Sequence, residues 1–330
     1  MSIESPTSQS AILLTSSHLG PAERWDHIQA HWAIRRGQHR VQPGLYSLGQ
    51  AGKDSLVFVT ANYSLSFDGL RSALDGRDAY ILVLDTDGIN VWCAAGKGTF
   101  GTEELVRRVE ASRLGEVVRG RVLILPQLGA PGVSAPEVRK RTGFRVEYGP
   151  ARAEDLPSYL KTHKASPEMR LARFQMRDRL AVVPVELVHT FIPLVLAVTV
   201  LYFLGGPLPA LAGAAAILGG SVLFPILLPW LPFADFSVKG FLLGIILVLP
   251  FSLACGLGPE PRWLAAAALL LGLPPVTAYL GLNFTGSTPF TSRSGVKHEI
   301  FAYIPLMAVL GVLGVLMMLG SSWLRWTGRG

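Results

Sequence analysis

Short apolar runs alternate with stretches of helical spacing over the first half of the chain. The runs are rich in aliphatic and β-branched side chains, a composition typical of buried parallel strands. The predicted strands are residues 55–61, 78–85, 121–126 and 144–148, and the predicted helices between them are residues 66–74, 102–114 and 134–142. This alternation predicts an α/β domain with a Rossmann-like parallel sheet and helices on both faces.

The residues before the first strand give weaker signals. Residues 1–20 are mostly polar and predict a loose arm, and residues 23–39 predict a helix. Residues 41–46 contain a Pro-Gly pair, so we expect a turn that enters the domain.

The second half of the chain has a different pattern, because long apolar runs replace the alternation. Each run is close to the roughly 20 residues that a membrane helix needs, and several contain proline, which predicts kinks. The expected spans are residues 182–204, 207–230, 239–257, 262–282 and 300–320. The sequence therefore predicts an all-α transmembrane domain of five helices in residues 180–330. It would follow a cytoplasmic domain in residues 1–162 and a basic linker in residues 163–179.

Charge supports this division, because only 6 of the 30 Lys and Arg residues lie beyond residue 180. Arginines cluster in residues 170–179, just before the first span, and such a cluster favours anionic headgroups on the cytoplasmic side. The amino terminus lacks an apolar core long enough for a signal peptide. We therefore expect a multi-pass protein of the inner (cytoplasmic) membrane, with residues 1–162 in the cytoplasm. No motif points to nucleic acid.

Residues 85–99 join the second strand to the next helix and contain the only cysteine of the first 180 residues. Asn90 is a good N-cap, so a short helix can begin at Val91. Cys93 then falls in the first turn, where backbone N–H groups and the helix dipole favour an anionic sulfur. Lys97 adds positive charge one turn later. A sulfur at the carboxyl end of a parallel strand is a candidate metal ligand or nucleophile.

Residues 90–97, Asn-Val-Trp-Cys-Ala-Ala-Gly-Lys, closely resemble the cap-helix motif of the membrane corrinoid protein of microbial mercury methylation. That family is related to the corrinoid iron–sulfur proteins of the acetyl-CoA pathway, and the resemblance covers most of the chain. It implies a methyltransferase of anaerobic one-carbon chemistry that transfers a methyl group from cobalt to inorganic Hg(II), giving methylmercury. In the family, the cysteine that matches Cys93 is the lower axial ligand of the corrinoid cobalt. The implied cofactor is therefore cobalamin in its base-off form, with Cys93 on cobalt as the catalytic residue.

The resemblance also implies a wider set of site residues. Strand-end loops at residues 60–63 and 149–155 resemble those that line the corrin ring in the family. The expected cofactor-binding residues are Thr60, Ala61, Asn62, Asn90, Val91, Trp92, Cys93, Ala94, Ala95, Gly96, Lys97, Gly149, Asn283, Thr285 and Ser294.

The last three of these residues belong to the segment between the fourth and fifth spans, residues 283–299. This segment is rich in Gly, Ser and Thr, so we expect a loop, and counting five spans returns it to the cytoplasmic side. Its hydroxyl and backbone N–H groups suit an anion or the polar edge of a cofactor. A similar motif occurs in the related corrinoid proteins. Arg293 and Lys297 are expected to face the phosphate of the corrinoid or an acidic partner.

Two cysteines, Cys93 and Cys255, are too few for an iron–sulfur cubane, which normally needs four thiolates. The resemblance therefore implies a separate ferredoxin-like protein with 4Fe–4S clusters as the reductant. It also implies a methyl-folate system as the methyl donor. Hg(II) as substrate and the lipid bilayer complete the expected partners.

Other interpretations of these motifs are weaker. A lone cysteine is often a small buried hydrophobe. Residues 95–99 resemble the end of a phosphate-binding loop, but Val91 stands where that motif requires glycine. His27 and His31 have the spacing of a zinc pair, yet no third ligand completes the site.

Two alternative functions also remain open. The first is a membrane corrinoid methyl carrier of one-carbon or acetyl-CoA metabolism that does not act on mercury. The second is a transporter with a regulatory α/β domain, which would need ionisable residues facing inward at mid-membrane. Glu186 and His189 are the only candidates, and both lie near one end of a predicted span.

Overall fold

The computed structural model describes residues 12–35, 37–257, 262–287 and 293–328. It separates into two compact units, Met1–Ala172 and Arg173–Gly330. The first unit is an α/β structure built on one sheet, and the second is a set of apolar helices.

The sheet of the first unit has six strands over the residues that the structure describes, in the order β1-β2-β4-β3-β5-β6. Strands β3 to β6 are parallel to one another, as the sequence predicts. The strands are β1 (Leu13–Thr15), β2 (Gly44–Leu48), β3 (Leu56–Ala61), β4 (Ala79–Leu84), β5 (Val122–Leu125) and β6 (Arg145–Tyr148). The sheet is mixed, because β2 runs antiparallel to β4, and β1 pairs with β2 at the edge.

The expectations for residues 1–20 and 41–46 are therefore wrong where the chain forms β1 and β2. Leu45 and Leu48 of β2 are buried, and the strand pairs with the side of β4 that would otherwise be an unprotected edge. Gly44, with φ of +157°, begins the strand. The Pro-Gly pair thus marks the start of a strand that is recognisable only once its partner is known.

Seven helices accompany this sheet within the described residues. They are α1 (Pro21–His31), α2 (Ser64–Ala73), α3 (Val91–Lys97), α4 (Thr102–Ala111), α5 (Leu114–Val117), α6 (Ala135–Thr142) and α7 (Leu156–Thr162). Successive strand residues enter opposite cores, as the two-residue period of a strand requires. Val57 and Val59 belong to one core, and Phe58 belongs to the other. The predicted layered α/β arrangement is confirmed for the four parallel strands.

Helix α1 is shorter than the predicted 23–39, because Ala33 and Arg35 adopt left-handed backbone conformations after its end. His27 of this helix bonds through Nε2 to Asp68, at 2.8 Å. The described residues contain no group of three or more His, Cys, Asp or Glu side chains that could hold a metal ion.

The second unit has five helical spans that are long and apolar enough to cross a membrane, judged by length and composition over the described residues. The spans are α8 (Met176–Gly205); α9 (Pro207–Leu218) with a π turn and α10 (Phe224–Leu227); α11 (Phe236–Gly256); α12 (Trp263–Gly272) with α13 (Pro274–Asn283); and α14 (Arg293–Trp326). Pro274 begins α13, where the fourth span is interrupted between Gly272 and Pro274.

The segment predicted as a loop, residues 283–299, is largely helical where it is described. Phe284–Ser287 form a 3-10 turn, α14 begins at Arg293, and residues 288–292 lie outside the described residues. The reason is tertiary, because the buried carboxylate of Glu299 accepts hydrogen bonds from the backbone N–H groups of Phe236 and Ser237. It thereby caps the start of α11 from a helical position on α14.

The transporter interpretation needs ionisable residues that face inward, and its two candidates were Glu186 and His189. His189 is exposed on the outside of the helices, whereas Glu299 and Arg179 are buried. Arg179 donates to the carbonyl of Ile226, at 2.6 Å. Both buried groups bond to backbone at the ends of helices, so they connect one helix to another.

Candidate functional site

The loop between β4 and α3, residues 85–90, is held by the side chain of Asn62 at the end of β3. The amide oxygen of Asn62 accepts from the N–H of Thr86, the hydroxyl of Thr86 and the N–H of Gly88, at 2.9–3.0 Å. Its amide nitrogen donates to Asp85 at 3.1 Å. Asn62 is 1% exposed, so its side chain positions the loop from within the domain.

Helix α3 begins where the sequence predicts. The side chain of Asn90 accepts a hydrogen bond from the N–H of Cys93, at 2.9 Å. Cys93 is a free cysteine and is partly exposed. The N-cap therefore fixes the turn that carries the sulfur at the carboxyl end of β4.

The other face of α3 is buried. Ala94 and Ala95 belong to the hydrophobic core beneath the helix, whereas Gly96 and Lys97 are exposed. Gly98 ends the helix in a left-handed conformation with φ of +89°, which favours glycine. Of the predicted motif residues, Ala94 and Ala95 thus form the buried side of the helix, which packs on the core.

Glycine on the loop after β5 lets this loop pack closely against the α3 region. A Cβ atom at Gly132 would lie 2.1 Å from the carbonyl oxygen of Phe100 and 3.1 Å from the Cα atom of Ala95. A Cβ atom at Gly129 would lie 2.5 Å from the ring of Phe100. Neither position has room for a side chain, so these glycines determine how closely the loop after β5 approaches α3 and Phe100.

A cavity of about 330 Å³ opens beside the start of α3. Its walls come from the carboxyl ends of β3, β5 and β6 and from the side of α2, at the edge of the sheet where α/β proteins bind ligands. Five predicted site residues line it together: Thr60, Asn90, Val91, Trp92 and Gly149. The structure thus brings residues of the two strand-end loops and of the start of α3 to one place.

Other residues of the cavity were not predicted from the sequence. Leu65 and Gly69 of α2 and Pro126 and Leu128 after β5 contribute to its lining. The strand-end rule could have found Pro126, because β5 ends directly before it. No local pattern marks the inner side of α2, since its role depends on the approach of the helix to the sheet.

The lining suits a large flat ligand with much apolar surface. A Cβ atom at Gly69 would meet no heavy atom within 4 Å, so this glycine leaves the α2 wall flat. The side-chain oxygen of Gln127, between the cavity residues Pro126 and Leu128, is buried and has no hydrogen-bond partner among the described residues. Gln127 itself does not line the cavity.

The site residues predicted in the second unit differ from one another in exposure and contacts. Asn283 and Ser294 are exposed, and the hydroxyl of buried Thr285 donates to the carbonyl of Leu282 at 2.6 Å. The ammonium of Lys297 lies 6.0 Å from the ring centroid of Phe301. The side chain of Arg293 lies outside the described residues. A role for these residues in cofactor binding stays a prediction.

Comparison with known proteins finds relatives of the first unit. Residues 33–160 match the family model of the CO dehydrogenase/acetyl-CoA synthase delta subunit. The gamma subunit of the acetyl-CoA decarbonylase/synthase complex of Methanothermobacter thermautotrophicus is 34% identical over 127 residues, which are 38% of this chain and 27% of that protein. The corrinoid/iron-sulfur protein large subunit of Moorella thermoacetica is 29% identical over 129 residues, which are 38% of this chain and 28% of that protein.

The chain thus spans just over a quarter of the length of these relatives, and the matched family segment ends at residue 160. This segment contains β2 to β6, the cap helix and every residue of the cavity. The α/β unit is therefore similar in sequence to a segment of an acetyl-CoA decarbonylase/synthase gamma subunit and to a segment of a corrinoid/iron-sulfur protein large subunit, while the five spans lie outside the match. The names of these relatives do not mention mercury.

Proposed function

We propose that this protein is a membrane-anchored, corrinoid-dependent methyltransferase with the sulfur of Cys93 as the lower ligand of the cobalt, and that its methyl acceptor is Hg(II). One observation carries the proposal. The first turn of a capped helix carries a partly exposed cysteine, Cys93, and the neighbouring residues Asn90, Val91 and Trp92 line an apolar cavity at the strand ends, in the segment that is similar to a corrinoid/iron-sulfur protein large subunit.

Each residue then has a defined task. A bound corrinoid supplies a cobalt centre that accepts and gives up a methyl group. Cys93 would hold this centre through its sulfur, and Asn90 would keep the turn of Cys93 in place. Trp92 and Thr60 would contact the macrocycle from the cavity wall. Asn62 would act through the loop that it holds, since its side chain is already bonded within the domain.

Mercury as the acceptor is supported by the resemblance of residues 90–97 to the cap-helix motif of mercury-methylating proteins and by the chemistry of the ligand. A sulfur ligand donates electron density, which favours transfer of a methyl group to a soft electrophile such as Hg(II). We further propose a separate ferredoxin-like reductant, because the chain has two cysteines, in different units. A methyl-folate system is the proposed methyl donor.

The comparisons favour a second candidate, a membrane corrinoid methyl carrier of acetyl-CoA metabolism. The matched relatives are named as subunits of acetyl-CoA decarbonylase/synthase or as a corrinoid/iron-sulfur protein. This candidate shares the corrinoid site and differs in the acceptor. Product analysis therefore separates the two functions.

The first test is the identity of the cobalt ligand in the purified full-length protein loaded with hydroxocobalamin. X-ray absorption at the cobalt edge should show sulfur on cobalt in the wild type and in Cys255→Ala, because Cys255 is buried among the apolar spans. The sulfur should be absent from Cys93→Ala. Nitrogen or oxygen as the lower ligand in the wild type would contradict the role of Cys93.

The second test is turnover under anaerobic conditions with a methyl-folate donor, a low-potential reductant and Hg(II). Methylmercury should form with the wild type and with Cys255→Ala, and it should fall to background with Cys93→Ala. If the wild type passes its methyl group to an acetyl-CoA synthase partner and forms no methylmercury, the protein is the methyl carrier of the second candidate.

A further inference from the structure

Helix α1 turns its large apolar side chains away from the protein. Trp25, Ile28 and Trp32 are 59%, 48% and 45% exposed, and their spacing of three and four residues places them on one stripe along the helix and its C-cap. We call these three residues the α1 outer face. The helix has no buried residue. This is the reverse of an ordinary surface helix, whose apolar stripe faces the core.

The polar side of α1 is bonded to the α/β unit. Asp26 lies 2.7 Å from His39, and His27 lies 2.8 Å from Asp68, which also accepts from Arg71 at 2.7 Å. Burial raises the pKa of Asp68, but the hydrogen bonds from His27 and Arg71 outweigh this effect, so the pKa is lowered and the carboxylate stays charged. Rolling α1 to bury its tryptophans would break these contacts.

The charges that remain exposed along this segment are basic. Glu23 is bonded to Arg71 at 3.3 Å and Asp26 to His39, so both acidic groups of α1 are engaged inward. Arg24 and Arg35 are exposed, and neither forms an ion pair within the part of the chain that the structure describes. Tryptophan and isoleucine next to free arginines are typical of a surface that binds an anionic lipid interface.

The chain itself brings a bilayer close to the α/β unit. The carbonyl of Met169 accepts from the N–H of Ala151 within that unit, and the first candidate span begins at Met176. An extended chain covers about 3.4 Å per residue, so the residues between Met169 and Met176 reach at most about 25 Å. A membrane surface is therefore permanently within reach, which a soluble partner is not.

We propose that the α1 outer face lies in the headgroup region of the bilayer that the five spans cross, with Arg24 and Arg35 against anionic lipids. The tryptophans supply the amphipathic rings that settle at such an interface. This proposal rests on the membrane assignment of the spans and not on the corrinoid chemistry. It assigns α1 the task of holding the α/β unit against the membrane surface.

The test uses a nitroxide at position 28 of the full-length protein in nanodiscs that contain phosphatidylglycerol. Cys93→Ala and Cys255→Ala remove the native thiols, and Ile28→Cys provides the attachment site. Oxygen, which concentrates in lipid, and a nickel chelate, which stays in water, compete to relax the spin. Relaxation at position 28 should be dominated by oxygen. A matched nitroxide at Glu110→Cys, on the exposed side of α4, should be dominated by the nickel chelate.

Adding Trp25→Gln and Trp32→Gln should make position 28 accessible to the nickel chelate. Circular dichroism should stay unchanged in this variant, because both side chains are exposed. Two results would overturn the proposal. Access by both reagents in the parent protein would show a face open to water. Shielding from both reagents would show a protein cover, such as a second copy, a partner or residues 1–11.

Discussion

Asn62 shows how one buried side chain can hold a loop in position. Its side chain makes four hydrogen bonds to the loop that leads to α3. The resemblance of residues 60–63 to a corrin-lining loop implied a cofactor contact for Asn62. The structure places it beneath the loop, where substitution should act on the position of Cys93.

Asn62→Ala should therefore loosen residues 85–93. Each buried group that loses its partner costs about 1–3 kcal/mol, so local opening should increase on the order of tenfold or more. Hydrogen exchange of the Thr86 and Gly88 amides, which donate to Asn62, measures this directly. Asn283→Ala, at an exposed asparagine of the second unit, is the control and should leave both amides unchanged. Unchanged exchange in Asn62→Ala would mean that the loop is held by other contacts.

At the scale of elements, α3 depends on how closely the loop after β5 approaches it. Helices of seven residues are unstable alone, so the packing of α3 on this loop and on the core determines its position. The helix contributes only Val91, Ala94 and Ala95 to the buried interior. The small alanines and Gly132 together allow that approach.

Gly132→Ala should displace α3 and weaken corrinoid binding. The new methyl group would lie 2.1 Å from a backbone oxygen, and such overpacking typically costs about 1–3 kcal/mol, so affinity should fall by about tenfold. Titration of the full-length protein with hydroxocobalamin, followed by its absorption spectrum, measures the change. Gly120→Ala, where a Cβ atom meets nothing within 4 Å, should bind as the wild type does. Equal affinities for the two variants would show that the packing of α3 does not affect corrinoid binding.

At the scale of the whole molecule, the membrane topology determines which helix ends face the cytoplasm. If the arginines before α8 fix that end inside, alternation of five spans places Asn283 and Lys297 inside and Thr327 outside. Glu299 supports this topology, because its carboxylate, near the start of the fifth span, accepts a hydrogen bond from the start of α11. The two helix starts therefore lie on the same side of the membrane.

Cysteine labelling in intact cells tests this topology. On a Cys255→Ala background, Asn283→Cys and Lys297→Cys should resist a membrane-impermeant thiol reagent until the cells are opened. Thr327→Cys, an exposed position at the other end of α14, should react at once. Labelling of positions 283 and 297 from outside would show that the topology is the reverse of this one and that these residues do not lie on the cytoplasmic side.

The sequence alone determined the features that depend on local signals. Apolar runs identified the parallel strands β3, β4 and β5 and the five spans, because burial on both faces of a strand and immersion in lipid each require mostly apolar residues. Asn90 gave the start of α3, because an N-cap satisfies a backbone donor within three residues. The place of Cys93 in the first turn of α3 followed from the same cap.

Only the tertiary structure decided what depends on distant partners. Strand β2 exists because β4 offers it an edge, and residues 293–299 are helical while Glu299 caps a helix 62 residues away along the chain. The α2 wall of the cavity and the outward direction of Trp25 depend on neighbours that bond or pack across the fold. Such contacts leave no periodic trace in a sequence, because the free energy that fixes them comes from residues brought together only by folding.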